Sequence, residues 1–128
     1  MNVESNIPNR GAVVRINLAD KEVNDIMLRL ADYPAASKLF WFIVNHMEEH
    51  NALLASYTVF QEALNMSRPT VSRGLATLRE LELLTVKKSG GSNLYLLNPS
   101  LVWKSWNNGN KYCELMVKVL LTESEQET

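Results

Sequence analysis

The chain has 128 residues, of which 46% are hydrophobic and 21% are charged, a composition typical of one ordinary globular domain. Its single cysteine, Cys113, excludes an intramolecular disulfide, and a chain of this length can fold without a disulfide or a metal. The polar N-terminus does not resemble a signal peptide, and no apolar stretch approaches the ~18 residues of a membrane span. We therefore expect a cytoplasmic protein with no membrane partner.

The formal net charge of −1 conceals an uneven distribution along the chain. Residues 51–112 contain seven Lys and Arg against three Glu, a net charge of +4, whereas the residues before them carry −2 and those after them −3. Such asymmetry marks where an anionic partner binds better than the total charge does. The middle of the chain is therefore the candidate binding region.

The first elements follow from periodicity and caps. Residues 1–12 are expected to be flexible, and the alternation over Val13–Leu18 predicts a short strand. Asp20 is placed to cap a helix over about Lys21–Ala31, and Tyr33-Pro34 ends it because a residue before proline leaves helical geometry.

A second helix is predicted over about Ala35–Glu49, and its wide apolar stripe makes it the central core helix. Trp41 adds to this stripe, and we expect it to pack in the core or at a dimer interface. The short apolar run Ala52–Leu54 favours a few residues of strand.

The next segment has the pattern of a helix-turn-helix. Ser56 is a suitable N-cap for a helix that ends after Asn65, a residue that tolerates the left-handed turn. Ser67 caps a second helix with Pro69 in its first turn, where a missing N–H costs nothing. About three residues separate the two helices, as in a helix-turn-helix.

The second of these helices has an inner and an outer face. Val71, Leu75 and Leu78 fall on one side at 100° per residue, which leaves a small, polar and basic start facing outward. The outward residues are Pro69, Ser72, Arg73, Ala76 and Glu80. This composition suits a helix that lies in the DNA major groove, because bulky side chains would block approach and acidic ones would repel phosphate.

Two β-prone runs follow, Leu83–Val86 and Leu94–Leu97, and the turn between them contains Gly90-Gly91. They predict a hairpin, the wing of a winged helix, on which Lys87 and Lys88 are placed to meet the DNA backbone or minor groove. The expected fold class is therefore mainly α with a small β-hairpin (α+β), a winged helix-turn-helix over residues 13–106.

The C-terminal part predicts a dimerisation helix. Apolar residues recur at three- and four-residue spacing over residues 107–121, which favours an amphipathic helix, and residues 122–128 are acidic and expected to fray. We expect a homodimer that forms through this helix. The predicted interface residues are Tyr112, Leu115, Met116, Val119 and Leu120.

The core "MSRPTVSRGLATLRELELL" resembles the helix-turn-helix of bacterial winged-helix regulators. The order of elements from Val13 to the pair Trp103-Lys104 is similar to that of the small plasmid replication protein family of Firmicutes. The resemblance implies a plasmid- or phage-associated protein that binds double-stranded DNA at an origin or at its own promoter. One departure is Glu82, which stands where a glycine commonly follows the recognition helix and implies a looser turn or a longer helix.

The predicted DNA-binding residues come from the second helix and the wing. They are Ser67, Arg68, Pro69, Thr70, Ser72, Arg73 and Thr77 on the helix, and Lys87, Lys88, Ser89, Ser92 and Asn93 on the wing. Arg68 and Arg73 are candidates for bidentate guanine contacts or for phosphate contacts. No catalytic residue, metal, cofactor or small-molecule ligand is predicted.

Three other interpretations of these residues are possible from the sequence. His46–His50 matches the zinc peptidase pattern H-x-x-E-H, but these two histidines are the only ones in the chain and no third ligand is evident. The tryptophans Trp41, Trp103 and Trp106 suit core or dimer packing better than stacking on single strands. A winged helix used for protein contact in a replication or partition complex stays open, as does the choice between initiator and repressor.

Overall fold

A computed structural model of the protein describes residues 12–106 and 118–120. The helices are α1 (Lys21–Leu30), α2 (Pro34–His46), α3 (Tyr57–Leu64) and α4 (Arg68–Glu80), and a short 3-10 turn spans Glu49–Asn51. The strands are β1 (Ala12–Ile16), β2 (Ala52–Ala55), β3 (Leu84–Ser89), β4 (Ser92–Leu97), β5 (Val102–Trp106) and β6 (Lys118–Leu120). The predicted α+β class is confirmed. Residues 1–11, Cys113 and the acidic residues 122–128 lie outside the described residues, so the predictions made for them stay predictions.

The strands form two small sheets. β1 and β5 make an antiparallel ribbon, in which Val14 lies opposite Lys104. The second sheet has the order β3-β4-β2-β6, with β2 antiparallel to β4 and parallel to β6. The strands predicted near the N-terminus and at Ala52–Leu54 are therefore confirmed, and each pairs with a partner far away in the sequence.

The ends of the first two helices follow from local chemistry. The backbone N–H of Glu22 donates to Asp20 Oδ1 at 2.8 Å, so Asp20 caps α1 as predicted. α2 ends at His46, three residues before the predicted end at Glu49. The reason is that Met47 is extended, with ψ 152°, and fully buried, so the chain turns early toward β2.

The core lies between α2 and α4. The fully or nearly fully buried residues of the two helices are Ala36, Leu39, Phe40, Ile43 and Val44 on α2, and Val71, Gly74, Leu75 and Leu78 on α4. Gly74 allows the two helices to approach closely, because a Cβ at this position would collide with Leu39 Cδ1 and lie 3.4 Å from the Ala36 nitrogen. α2 is thus the central core helix that its apolar stripe predicts.

Two tryptophans are less buried than predicted. Trp41 exposes 44% of its surface and Trp103 exposes 37%, so neither lies in the core, one of the two places predicted for them. The Trp41 ring makes a T-shaped contact with that of Phe40, with ring centroids 4.9 Å apart. Whether these side chains take part in a dimer stays a prediction.

The prediction of a C-terminal helix is wrong for the part of it that the structure describes. Lys118–Leu120 form β6, which pairs in parallel with β2 so that Val119 lies opposite Leu54 and Leu120 opposite Ala55. The apolar spacing of this segment fits a buried strand as well as a helix, and the free edge of β2 supplies backbone partners that a sequence pattern cannot reveal. Residues 107–117, with Tyr112, Leu115 and Met116, lie outside the described residues, and the dimer role of all five predicted interface residues stays a prediction.

Lys104 is buried, with 5% of its surface exposed. Its ammonium group donates to three backbone carbonyl oxygens at the C-terminal end of α2, those of Val44 (3.0 Å), Asn45 (3.3 Å) and Met47 (2.7 Å). A cation at this position satisfies carbonyls that have no partner within the helix and complements the negative end of the helix dipole. Lys104 therefore stabilises the fold and contributes nothing to a basic surface.

Asn51 joins the same region to both sheets. It is 1% exposed, and its side-chain amide donates to the carbonyl oxygens of Leu97 (3.2 Å) and Val102 (2.7 Å). Its side-chain oxygen accepts from the backbone N–H of Lys104 at 3.2 Å. The backbone of Asn51 has φ 60°, a left-handed conformation that asparagine tolerates better than most residues. These bonds hold β4 and β5 against the turn before β2.

Glu82 lies in the left-handed conformation that glycine usually provides after a helix, with φ 65°. The backbone N–H of Leu83 donates to Leu78 O and that of Glu82 donates to Arg79 O, both at 3.0 Å, which is the hydrogen-bond pattern of a Schellman C-cap. α4 ends at Glu80, so the helix is not extended and the turn is tightly bonded. Glu82 therefore keeps the turn that glycine would form, at the cost of a strained backbone conformation.

Replacing Glu82 with glycine is expected to stabilise the fold by about 0.5–1 kcal/mol, because glycine adopts positive φ without the steric cost of a Cβ. The melting temperature should rise by about 2–5 °C in thermal unfolding followed by circular dichroism. The control is Glu80→Gly, in the regular last turn of α4, which should destabilise by about 1 kcal/mol. A Glu82→Gly variant that melts below the natural sequence would contradict the prediction.

Candidate nucleic-acid interface

The turn between α3 and α4 is built from the caps that the sequence predicts. α3 ends at Leu64, and Asn65 follows in the left-handed conformation, with φ 55° and ψ 51°. Ser67 Oγ accepts a hydrogen bond from the Thr70 backbone N–H at 3.3 Å and donates to Thr70 Oγ1 at 2.9 Å. Both helix ends are thus bonded within the turn itself, and the predicted order of helix, three-residue turn and helix is confirmed.

α4 turns its predicted inner face to the core and its predicted outer face to solvent. Val71, Leu75 and Leu78 are at most 3% exposed. The exposed residues are Arg68, Pro69, Ser72, Arg73, Ala76, Arg79 and Glu80. The start of this exposed face consists of small residues and two arginines, whereas Glu80 stands at the opposite end of the helix.

Arg73 lies on the side of α4 that faces the start of α2. Together with Thr70 and Thr77 it lines a groove of about 360 Å³, whose other wall is residues 32–36. Thr77 Oγ1 donates to the Arg73 carbonyl oxygen at 3.1 Å, so this hydroxyl can only accept a bond from a further partner. The structure therefore brings three of the predicted site residues together on one side of the helix.

Arg68 lies on the opposite side of α4, beside the start of α3. Its guanidinium carbon is 4.7 Å from the centre of the Tyr57 ring, a cation–π distance. Tyr95 is fully buried close by, and its hydroxyl accepts a hydrogen bond from Asn93 Nδ2 at 3.2 Å. Burial raises the pKa of Tyr95 to about 12, so its hydroxyl stays protonated at neutral pH. Arg68 is thus held near the junction between the helix-turn-helix and the hairpin.

The hairpin has the predicted strands and turn. Lys88 lies opposite Asn93 and Ser89 opposite Ser92, and Gly90 has φ 64°, the positive value that the first position of a two-residue type II′ turn requires. Lys87, Lys88 and Ser89 are exposed, whereas Ser92 and Asn93 are half-buried. The amide of Asn93 donates to the Tyr95 hydroxyl, so this side chain lies on the same side of β4 as the buried Tyr95.

Arg79 is an exposed cation outside the predicted DNA-binding residues. It lines two surface grooves between α4 and β3, of about 540 Å³ and 640 Å³, the larger of which also includes Lys87. Arg79 follows Arg68 by eleven residues, close to three full turns of helix, so the two side chains start from the same helix face. The eleven-residue spacing alone would have placed Arg79 on the same face of α4 as Arg68.

The net charge of the exposed side chains in residues 51–112 is positive even without the buried Lys104. The described part of residues 51–112 exposes five cations and three carboxylates, a net charge of +2. The cations are Arg68, Arg73, Arg79, Lys87 and Lys88, and the carboxylates are Glu62, Glu80 and Glu82. The positive charge is thus concentrated on α4 and the hairpin.

The two histidines of the H-x-x-E-H pattern are half-buried against aromatic rings. The His46 ring is 4.4 Å from Phe42, and the His50 ring is 6.4 Å from Trp103, centroid to centroid. His50 has a left-handed backbone, with φ 72°, so it does not continue the helix that carries His46. Among the residues that the structure describes, no group of three or more His, Cys, Asp or Glu side chains could hold a metal ion.

A helix-turn-helix followed directly by a two-stranded hairpin is compatible with the winged-helix class of proteins. The family model described as Firmicute plasmid replication protein, RepL, matches residues 34–128, which include every element from α2 onward. The chain belongs to this family and is therefore related to plasmid replication. No curated protein matches it. Within residues 12–106 and 118–120, no helix is both long and apolar enough to cross a membrane.

Proposed function

We propose that this protein binds a specific duplex DNA site, at a plasmid origin or at a promoter, by inserting the first turns of α4 into the major groove. The observation that carries the proposal is the exposed, basic, small-residue start of α4, which three buried side chains hold outward. The family membership supports it, because a replication-related protein has plasmid DNA within reach.

The shape of α4 suits the groove. A helix with its side chains is about 10–12 Å wide and the major groove of B-DNA is about 12 Å wide, so a helix enters only where its outer side chains are small. Pro69, Ser72 and Ala76 are the small exposed residues along this face. Arg68 and Arg73 flank them, on the sides that face α3 and α2 respectively. In this arrangement the small residues admit the helix and the arginines reach base edges or phosphates.

The charge distribution suits the DNA backbone. Lys87 and Lys88 project from the hairpin, and Arg79 lies in the groove between the hairpin and α4. Each cation that neutralises a phosphate releases condensed counterions, so binding gains entropy that added salt removes. Glu80 and Glu82 lie beyond the start of α4, where they do not oppose insertion of its first turns.

Titration of labelled plasmid-origin duplexes with the purified protein tests the proposal. Binding should be tight at low salt and should fall with a log–log salt slope of about −3 to −5, as expected when four or five cations meet phosphates. A protein that shifts no duplex at micromolar concentration in low salt would refute the proposal and favour a winged helix used for protein contact.

Selection of bound fragments from total plasmid DNA gives the location of the site. Enrichment of a repeated element at the replication origin would assign the protein to initiation, and enrichment upstream of its own coding sequence would assign it to repression. Uniform recovery of all fragments would contradict sequence-specific binding, because binding to phosphates alone carries no sequence information.

A further inference from the structure

Tyr57 is the first residue of α3, and the guanidinium carbon of Arg68 lies 4.7 Å from the centre of its ring. Tyr57 is half-buried, so one part of its ring is held by the protein while Arg68 itself is exposed. The two residues come from different helices of the helix-turn-helix. The contact therefore links the position of the Arg68 side chain to the packing of α3.

Tyr57 lies beside buried aromatic residues. The neighbouring Tyr95 is fully buried and packs its ring edge-on against Phe60, with centroids 5.1 Å apart. Tyr57 and Arg68 both lie near enough to Tyr95 to affect the pKa of its hydroxyl, and Asn93 donates a hydrogen bond to that same hydroxyl. Tyr57 thus stands between the core of the hairpin sheet and the exposed start of α4.

We infer that Tyr57 is a positioning residue, which holds the Arg68 guanidinium over its ring in the orientation used to read a base edge. This inference rests on the proposed function, since it assigns to Tyr57 a share in the specificity of the proposed DNA site. Tyr57 does not itself contact DNA in this account and acts through Arg68.

The physical reason lies in the freedom of an arginine side chain. An arginine at the exposed start of a helix samples many rotamers, and a bidentate contact to guanine requires one of them, so the bound state loses that freedom. A ring that already holds the guanidinium reduces the loss before DNA arrives. Phosphate contacts tolerate many orientations, so the ring should matter for sequence discrimination more than for general affinity.

The test compares Tyr57→Leu, which removes the aromatic face, with Tyr57→Phe, which keeps it. For Tyr57→Leu, affinity for the selected site should fall about fivefold while affinity for a scrambled duplex changes less than about twofold. Tyr57→Phe should bind both duplexes as the natural sequence does. In an Arg68→Ala background the Tyr57→Leu change should have no further effect on discrimination, because the side chain it positions is gone.

A readout without DNA separates this inference from the proposed function. The ring current of Tyr57 should shift the Arg68 side-chain proton resonances upfield, and the shift should persist in Tyr57→Phe and vanish in Tyr57→Leu. Denaturant unfolding and amide spectra identify a Tyr57→Leu variant that has lost its fold. In that case the ring-current shift of the Arg68 protons in the natural protein and in Tyr57→Phe carries the test.

The possible outcomes are distinct. Absence of the ring-current shift in the natural protein overturns the positioning role, whatever the protein binds. Unchanged discrimination by folded Tyr57→Leu, or an equal loss in the Arg68→Ala background, also overturns it while leaving DNA binding intact. Failure of the natural protein to bind any duplex overturns the proposed function instead.

Discussion

Replacing Lys104 with methionine is expected to lower the free energy of unfolding by about 2–4 kcal/mol. The ammonium group donates to the carbonyl oxygens of Val44, Asn45 and Met47, and hydrogen bonds made by charged groups contribute about 1.5–3 kcal/mol each at most. Methionine fills most of the same volume, so the loss reports the missing cation and its hydrogen bonds rather than a cavity.

Two opposing effects set the size of this loss. Burial of a lysine ammonium is costly, so its replacement by an apolar side chain recovers some desolvation free energy. The carbonyl oxygens of Val44 and Met47, however, stay buried without the donor that satisfied them, and the helix dipole loses its complementary charge. Since three acceptors are affected by the loss of one donor group, we expect the destabilising effect to prevail.

Urea unfolding of the natural and variant proteins measures the change through the midpoint and slope. The matched control is Lys38→Met, the same substitution at an exposed position of α2, which should alter stability by less than about 0.5 kcal/mol. Equal stabilities for Lys104→Met and the natural sequence would show that the ammonium group does not hold the end of α2.

Replacing both Arg68 and Arg73 with alanine is expected to reduce affinity for the selected duplex site at least about thirtyfold. The estimate takes ~1 kcal/mol for each arginine, the lower end of the range for a guanine contact and a reasonable value for a phosphate contact. The fold should be unaffected, because both side chains are exposed and neither belongs to the core.

The control for this prediction removes the same number of charges elsewhere. Lys21 and Arg29 are exposed residues of α1, a helix that packs against α2. Their double alanine variant has the same net charge as the Arg68→Ala, Arg73→Ala protein, so it corrects for the general loss of attraction to a polyanion. Similar affinities for the two double variants would mean that α4 has no special place in binding.

Single substitutions of Arg68 and of Arg73 distinguish a base contact from a phosphate contact. Loss of a guanine contact should relax the preference at one base pair, whereas loss of a phosphate contact should weaken binding to all sequences alike and reduce the salt slope by about one. Measurements with single variants against duplexes mutated at one position therefore assign a role to Arg68 and to Arg73.

Many caps and turns were predictable because their signals are local. Asp20 and Ser67 cap backbone N–H groups two and three residues away, Asn65 adopts the left-handed turn beside its own helix, and Gly90 provides the hairpin turn. The inward spacing of the α4 side chains likewise depends only on the helix period. For such features the interacting groups lie within a few residues of one another, so the local sequence is enough to predict the interaction.

The misassigned features depend on partners that lie far apart in the chain. Lys104 adds to the net charge of residues 51–112, but a sequence does not show that the carbonyls at the end of α2, about 60 residues earlier, lie beside it. The segment 118–120 was assigned to a helix because apolar spacing does not record the free edge of β2. The sequence around a charged or apolar side chain is the same whether that side chain contacts water or protein. Only the folded structure shows which of the two surrounds it.

The sequence by itself determined the caps, the period of α4 and the hairpin turn, and through them the presence of a basic helix that faces outward. Only the tertiary structure decided which cations remain on the surface, where Arg68 rests and what β6 pairs with. The physical reason is that capping and helical period act over one or two turns, whereas burial and strand pairing depend on which distant segments the folded chain brings into contact.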